Sequence, residues 1–297
     1  MKSTPLGYAF AILAFIIFSV QDAVSKHLGM AYPPVLVAMF RYWAFAAFAI
    51  LLAMRARGGL KAAAATQRPL LQIARGMLLA TQIPIAISAF ALVGLAQSQA
   101  IFASGPLIVA LLSVPILGEK VGWRRWTAIG VGLCGVLLIL SPSGGDFSPY
   151  VILPIATAVI GAIYGLLTRL VSRADGPMTS FFYIGIVGAI ALSIAGPFFW
   201  TPLAPSDWKW MILLCCTGIA GHFLLIKAYD NLHAVAVQPI TYLQLVLASG
   251  IAVVVFGETL KANMVIGAVI VVGAGLFTVW RENVLARRNS ATAPTDK

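Results

Sequence analysis

The sequence has few charged residues, and this scarcity excludes most soluble proteins. Asp, Glu, Lys and Arg make up 10% of the 297 residues and apolar residues 61%, whereas soluble domains carry about 25% charged and roughly 45–50% apolar residues. A water-soluble core of this size would need far more charged surface. A soluble enzyme and a disordered chain are therefore both excluded.

Several chemical motifs are also missing. The three cysteines are not spaced as C-x-x-C, and no H-E-x-x-H or G-x-x-x-x-G-K-[ST] pattern occurs. The G-x-G-x-x-G at residues 130–135 lies inside an apolar helix without a preceding strand, so helix packing explains it better than dinucleotide binding. The sequence thus predicts no catalytic residues, no metal, no cofactor and no direct ATP hydrolysis, and it indicates that the protein is not an enzyme.

Long apolar runs are abundant instead, and each can cross a hydrocarbon layer of roughly 30 Å. They predict an all-α membrane protein with ten transmembrane helices. Prolines 84, 106, 115 and 239 interrupt three of them and favour kinks. The predicted spans are 6–26, 34–54, 70–93, 97–117, 123–141, 149–170, 177–200, 208–228, 235–256 and 262–281.

Positive charge is distributed unevenly between the predicted loops. With the N-terminus assigned to the cytoplasm, sixteen of the 20 Lys and Arg fall on the cytoplasmic side, as the positive-inside rule requires. Both termini are therefore predicted to be cytoplasmic, and residues 282–297 have the composition of a disordered tail. This distribution also explains the net charge of +11, so we expect a lipid bilayer as partner and no nucleic acid.

The two halves of the chain resemble each other. Gly118-Glu119 ends an apolar run and precedes a Gly-rich one, and Gly257-Glu258 does the same 139 residues later. Five spans per copy is an odd number, so the second copy would enter the bilayer inverted. We therefore predict two inverted repeats, residues 1–145 and 146–281, as in secondary transporters that bind substrate near the midplane between the halves.

Three stretches together resemble a known family. Residues 18–29 read FSVQDAVSKHLG, residues 33–47 read PPVLVAMFRYWAFAA, and each half closes on Gly-Glu before a Gly-rich helix. They are similar to the EamA branch of the drug/metabolite transporter superfamily, and most similar to the YddG-type exporters. One departure is that the second half lacks a counterpart to the acidic and basic pair Asp22 and Lys26 of the first span.

The resemblance implies a bacterial inner-membrane protein with a central cavity. It would export aromatic or other neutral amino acids, or related small metabolites, by alternating access. An intramembrane enzyme or a lipid flippase is the alternative from another class.

Charged residues within spans form the first candidate group, because an ionisable side chain in hydrocarbon costs several kcal/mol. Asp22 and Lys26 are four residues apart on one helical face and can pair, and Arg41 lies at a similar depth. One interpretation is a structural ion-pair network. The other is that Lys26 and Arg41 bind a substrate carboxylate and Asp22 holds them in place.

Polar and aromatic side chains within spans form the second group. Polar amides cannot face lipid unsatisfied, so we expect them to line a cavity for a medium-sized neutral or aromatic amino acid. Interhelical hydrogen bonding is the alternative for each residue taken alone. The members are Gln82, Gln99, Tyr164, His222, Gln238 and Tyr242, with Gln97 and Gln244 in the same spans.

Overall fold

The computed structural model describes most of the chain, and its regular structure is helical. It covers residues 5–56, 58–117, 122–140, 148–232 and 234–291, with side chains except at 117, 125, 230, 234–236, 238 and 282–291. The helices are α1 Pro5–Ala31, α2 Pro34–Arg55, α3 Gly59–Ala64, α4 Pro69–Leu92, α5 Leu95–Phe102, α6 Gly105–Leu117, α7 Trp123–Leu140, α8 Ile152–Val171, α9 Pro177–Ala195, α10 Trp208–Asn231, α11 Ala234–Phe256 and α12 Ala262–Ala291. Short 3-10 turns at Pro149–Val151 and Gly196–Phe199 precede α8 and follow α9.

The ten predicted spans match these helices in order. Within the described ranges, nine segments are long and apolar enough to cross a membrane, and Trp126–Leu140 of α7 is a shorter tenth. Phe198 and Val254 are each 84% exposed, as side chains that face lipid would be. The chain is an all-α, multi-pass membrane protein.

Prolines set several helix boundaries. Proline occupies the first turn of α2, α4 and α9, where an amide N–H has no partner within the helix. The predicted span 97–117 is broken at Ala103 and Ser104, which separate α5 from α6 just before Gly105-Pro106. In contrast, α4 and α11 continue through Pro84 and Pro239.

The helices pair across the two halves in a twofold pattern. Helix α1 packs on α10 and α11, and its counterpart α8 packs on α4 and on α5 and α6. Three pairs join equivalent helices, namely α2 with α9, α7 with α12, and α5 with α11. This is the pattern that a duplicated five-span unit produces, and it leaves most of the core between the halves.

The bundle has two ends, which we name by the chain segments they hold. The terminal end contains the start of α1, helix α3 and the α8–α9 turn, and the opposite end contains the α1–α2, α9–α10 and α11–α12 turns. Helix α12 runs on to Ala291, so residues 282–291 are helical where the sequence predicted disorder. Residues 292–297 and Gly118-Glu119 lie outside the described ranges.

A hydrogen-bond network braces the terminal end. The carboxylate of Asp175, in the α8–α9 turn, accepts hydrogen bonds from the Thr66 hydroxyl, from the Gln67 backbone N–H at 2.9 Å and from Gln72 Nε2 at 2.8 Å. Gln72 in turn accepts a hydrogen bond from Arg75, which is 1% exposed. Burial raises the pKa of Asp175, but these donors outweigh burial and hold that pKa below its usual value.

Candidate functional site

A cavity of about 670 Å³ lies between the two halves. Its wall includes the aromatic rings of Phe90 and Phe102, whose centroids are 5.6 Å apart. The cavity extends from Asp22, within the membrane, to Arg169, which is exposed at the terminal end. The polar and charged side chains on its wall are Gln21, Asp22, Ser25, Arg41, Gln82, Gln99, Thr157, Arg169, His222, Thr241, Gln244 and Thr278.

Asp22 is held by amides from both repeats. Gln99 Nε2 of α5 and Gln244 Nε2 of α11 each donate to Asp22 Oδ2 over 2.6 Å. Asp22 is 7% exposed, and the two donors offset part of the cost of burying its charge. The pairing of Asp22 with Lys26 that the sequence suggested is not formed, because Lys26 reaches a different acid.

Lys26 closes the opposite end of the cavity and does not line it. Its ammonium pairs with Glu258 of the α11–α12 turn and lies 4.3 Å from the centroid of the Phe256 ring. Glu258 also accepts hydrogen bonds from the backbone N–H groups of Leu95 at 2.7 Å and Ala96 at 3.0 Å. One carboxylate thus joins α1, the first turn of α5 and the α11–α12 turn.

A second depression begins on the other side of this closure. It has a volume of about 640 Å³ and is lined by Gln97, Lys261 and Asn263 together with Glu258 itself. The two spaces share no lining residue, and Glu258 lines only the second. The structure therefore has the form of a carrier closed at its opposite end, with its cavity extending toward the terminal end.

Arg41 lines the cavity as the sequence predicted. It is half-buried on α2 and interacts electrostatically with Asp22. A guanidinium group presents paired N–H donors that match a carboxylate. Arg41 and Arg169 both present this group on the wall, and Arg41 is the one that lies beside Asp22 within the membrane, where it can bind an anionic group of a substrate.

Two further predicted residues line the cavity. Gln82 Nε2 donates to the backbone oxygen of Thr157 over 3.2 Å. The His222 ring lies edge-on between Phe18 and Phe45, with centroid distances of 5.2 and 5.3 Å. With Gln99, Arg41 and Asp22, five of the predicted side chains meet in one space.

The other predicted residues are placed elsewhere. Tyr164 packs beside Phe45 and under Arg75, whose guanidinium carbon is 5.3 Å from the tyrosine ring centroid. Tyr242 is 8% exposed in a core cluster built from helices of both halves, among them α5, α7, α11 and α12, and its hydroxyl has no hydrogen-bond partner among the described residues. The side chain of Gln238 lies outside the described part of the chain.

Sequence reasoning missed Arg169 and Glu258. The prolines that open α2 and α9, Pro34 and Pro177, are equivalent, and counting back eight residues from each gives Lys26 and Arg169. The residue four positions before Arg169 is Gly165 and not an acid, so the second half has a basic residue at this position but no counterpart to the pair of Asp22 and Lys26. Glu258 belongs to the repeated Gly-Glu motif, but it lies outside every predicted span. The sequence therefore did not indicate it as the charge partner of Lys26.

Comparison with known proteins agrees with this architecture. An S-adenosylmethionine uptake transporter of Rickettsia prowazekii (strain Madrid E) is 29% identical over 95% of each chain. A riboflavin transporter of Rhizobium johnstonii is 28% identical over 93% of this chain and 92% of its own length. The pseudopaline exporter CntI of Pseudomonas aeruginosa is 25% identical over 90% of this chain and 94% of its own length.

A solved crystal structure shares the fold, with a TM-score of 0.61 at 22% identity over 96% of this chain and 98% of that chain. The sequence profile of the EamA-like transporter family matches twice, at residues 5–141 and 148–280. The two matches together span nearly the whole chain and fall one on each half. The chain belongs to the EamA-like transporter family.

Proposed function

We propose that this protein is a secondary transporter of small metabolites that carry an amino-acid group. The observation that carries the proposal is the cavity of about 670 Å³, closed at one end, with Arg41 and Asp22 on its wall within the membrane. Ligand sites for small molecules are typically about 300–1,000 Å³ and mostly apolar, with a few polar groups that set orientation. The two inverted halves would rock about this cavity to expose it to each side in turn.

The cavity wall supports a substrate that joins an amino-acid group to a ring system. Arg41 offers donors for a carboxylate, and the aromatic pair Phe90 and Phe102 offers an apolar surface for a planar ring. S-adenosylmethionine has this composition, and relatives named for its uptake match over nearly the full length. It is our first candidate.

Aromatic and other neutral amino acids are the second candidate, as in the YddG-type exporters that the sequence resembles. The same carboxylate donor and aromatic pair favour them. The residues that we propose to bind substrate are Arg41, Gln82, Gln99 and His222, with Asp22 beside them. Transport would use a solute or ion gradient, because the sequence lacks a P-loop for ATP hydrolysis.

Purified protein in liposomes tests this proposal directly. Vesicles preloaded with unlabelled S-adenosylmethionine should accumulate labelled S-adenosylmethionine by counterflow, and the Arg41→Met variant should lose this accumulation. Tryptophan, methionine and riboflavin, added in turn as competitors, would rank the substrate classes. Counterflow of riboflavin but of no compound with an amino-acid group would contradict the proposal, and turnover or translocation of a lipid would favour the alternative class.

A further inference from the structure

We propose that Gln21, Asp22 and Arg41 form a subsite for an α-amino-carboxylate group on the cavity wall, in which Arg41 binds the carboxylate and Asp22 and Gln21 accept hydrogen bonds from the ammonium. Gly218 of α10 packs directly behind Gln21 and Arg41 and supports them. The inference rests on the proposed function and adds to it the place and the chemistry of recognition. It also makes Gly218 a residue that determines specificity.

Gly218 lies directly under the two polar groups that bracket this subsite. A Cβ atom built on Gly218 would lie 3.3 Å from Gln21 Oε1 and 3.7 Å from Arg41 Nε. The two side chains therefore converge on one point of α10, although they come from α1 and α2. His222 follows one helical turn later and also lines the cavity.

Two acceptors lie on the cavity wall together with Arg41. Both amide donors to Asp22 act on Oδ2, and Oδ1 accepts no hydrogen bond from the described residues. Gln21 is 4% exposed, and its Oε1 is buried without a hydrogen-bond partner in the described part of the chain. Because the terminal torsion of a glutamine is soft, a small rotation turns this oxygen toward a bound group.

A buried hydrogen-bond acceptor without a donor raises the free energy of the protein. A ligand that donates a hydrogen bond to it lowers that free energy again. Asp22 and Arg41 together present a carboxylate and a guanidinium within one wall. A zwitterionic group matches both charges, whereas a simple anion adds no donor to Asp22 and a simple cation adds no acceptor to Arg41. The subsite therefore selects α-amino acids and their conjugates over the corresponding deaminated or decarboxylated molecules.

The Gly218→Ala variant tests the subsite, and Gly165→Ala is its matched control. Gly165 of α8 lines the cavity, and a Cβ atom there would meet nothing within 4 Å. In Gly218→Ala the added methyl group is tight against Gln21 Oε1 at 3.3 Å and so shifts this acceptor beside Arg41. We expect the half-saturating concentration of S-adenosylmethionine or methionine to rise about tenfold or more, as one misplaced methyl group can cause, with little change in Gly165→Ala.

A second measurement separates recognition of the ammonium from general damage. Unlabelled methionine and its deaminated analogue, 4-methylthio-2-oxobutanoate, would each be added as a competitor of labelled S-adenosylmethionine. The competition would be measured in wild type and in Asp22→Asn. Wild type should prefer methionine, and Asp22→Asn should lose most of that preference while still binding the analogue. An unchanged preference in Asp22→Asn would overturn the assignment of the ammonium acceptor.

The outcomes also distinguish this inference from the proposed function. Equal effects of Gly218→Ala and Gly165→Ala, in protein that transports an amino-acid compound, would overturn the subsite and leave the proposed function standing. If wild type transports no compound with an amino-acid group, the proposed function fails first and the subsite fails with it. A selective loss in Gly218→Ala supports both.

Discussion

Asp22 and Arg41 bring opposite charges to one wall of the cavity, at a depth where water is scarce. The amides of Gln99 and Gln244 fix the carboxylate from two helices of opposite repeats. Arg41 has no comparable hydrogen bonds from the described residues and interacts with Asp22 through charge. A substrate carboxylate can therefore bind Arg41 without first displacing a strong partner.

Replacement of Arg41 tests its role in binding the substrate carboxylate. We expect Arg41→Met to weaken binding by about 1.5–3 kcal/mol, the usual value of a hydrogen bond to a charged group. Arg41→Lys keeps the charge but loses the paired donors, so it should recover only part of the affinity. The measurement is competition by methionine and by its methyl ester, and equal losses for both compounds would contradict the assignment.

Tyr164 and Tyr242 show why residue placement is harder to predict than residue type. Both are aromatic residues within spans, and both pack into cores instead of facing the cavity. In a membrane helix that is apolar on every side, hydrophobic periodicity does not indicate which face points inward. Polar amides are more informative because lipid excludes them, and Gln82 and Gln99 do line the cavity.

At the scale of helices, the Lys26–Glu258 pair joins three elements at the closed end. Glu258 also satisfies two backbone N–H groups of the first turn of α5, which lack partners within the helix. The broken span α5–α6 thus presents a helix N-terminus to an acid from the other repeat. Loss of this contact would free α1, α5 and the α11–α12 turn to separate.

Neutralising Lys26 should therefore open the opposite end. We expect Lys26→Met to increase the labelling of a cysteine at Ser25, which lines the cavity beside the closure, by an impermeant thiol reagent added at that end. The background carries serine in place of Cys134, Cys215 and Cys216. Lys209→Met, a lysine at the same end outside this contact, is the control, and equal labelling in both variants would contradict a closing role.

The Asp175 network at the terminal end should make the free energy of unfolding depend on pH. Because folding lowers the pKa of Asp175, its stabilising contribution is fully present above the carboxyl pKa of the unfolded chain. It is lost as the pH falls through the lower pKa of the folded protein. We expect Asp175→Asn to lower the free energy of unfolding by about 1–2 kcal/mol at pH 7.

The difference between Asp175→Asn and wild type should shrink below about pH 4, where free aspartate becomes protonated. Thermal unfolding in detergent at pH 7 and below about pH 4 measures this difference in stability between the variant and wild type. An equal difference at both values would show that the carboxylate charge does not contribute. Thr81→Val provides a control, since its hydroxyl bonds only within its own helix.

The spans themselves were predictable from length and apolarity. Proline chemistry predicted kinks in three spans but not the break before Pro106, and the helices continue through Pro84, Pro115 and Pro239. The pairing of the helices could not be predicted from the sequence. Helix α1 finds its main partners in α10 and α11, about two hundred residues later in sequence. Contacts of that range depend on how the whole bundle assembles, and no local pattern of residues encodes them.

At the scale of the whole molecule, the orientation in the membrane is still a prediction from charge. We propose that the terminal end is cytoplasmic, with the 55–68 loop and the segment after Arg281 on that side. A cysteine at Leu60 should then react with an impermeant reagent only after the cells are permeabilised. A cysteine at Ser206, which is exposed at the opposite end, should react in intact cells, and the reverse result would invert the assignment.

The pairing of helices across the halves also bears on biogenesis. Lys26 enters the bilayer early, but its acid partner Glu258 lies 232 residues further along the chain. Gln244, one of the two amide donors to Asp22, also lies in the second half. Until the second half is synthesised, Lys26 lacks its acid partner and Asp22 has only one of its two amide donors, Gln99. We therefore expect the nascent first half to be less stable in the bilayer than the completed chain.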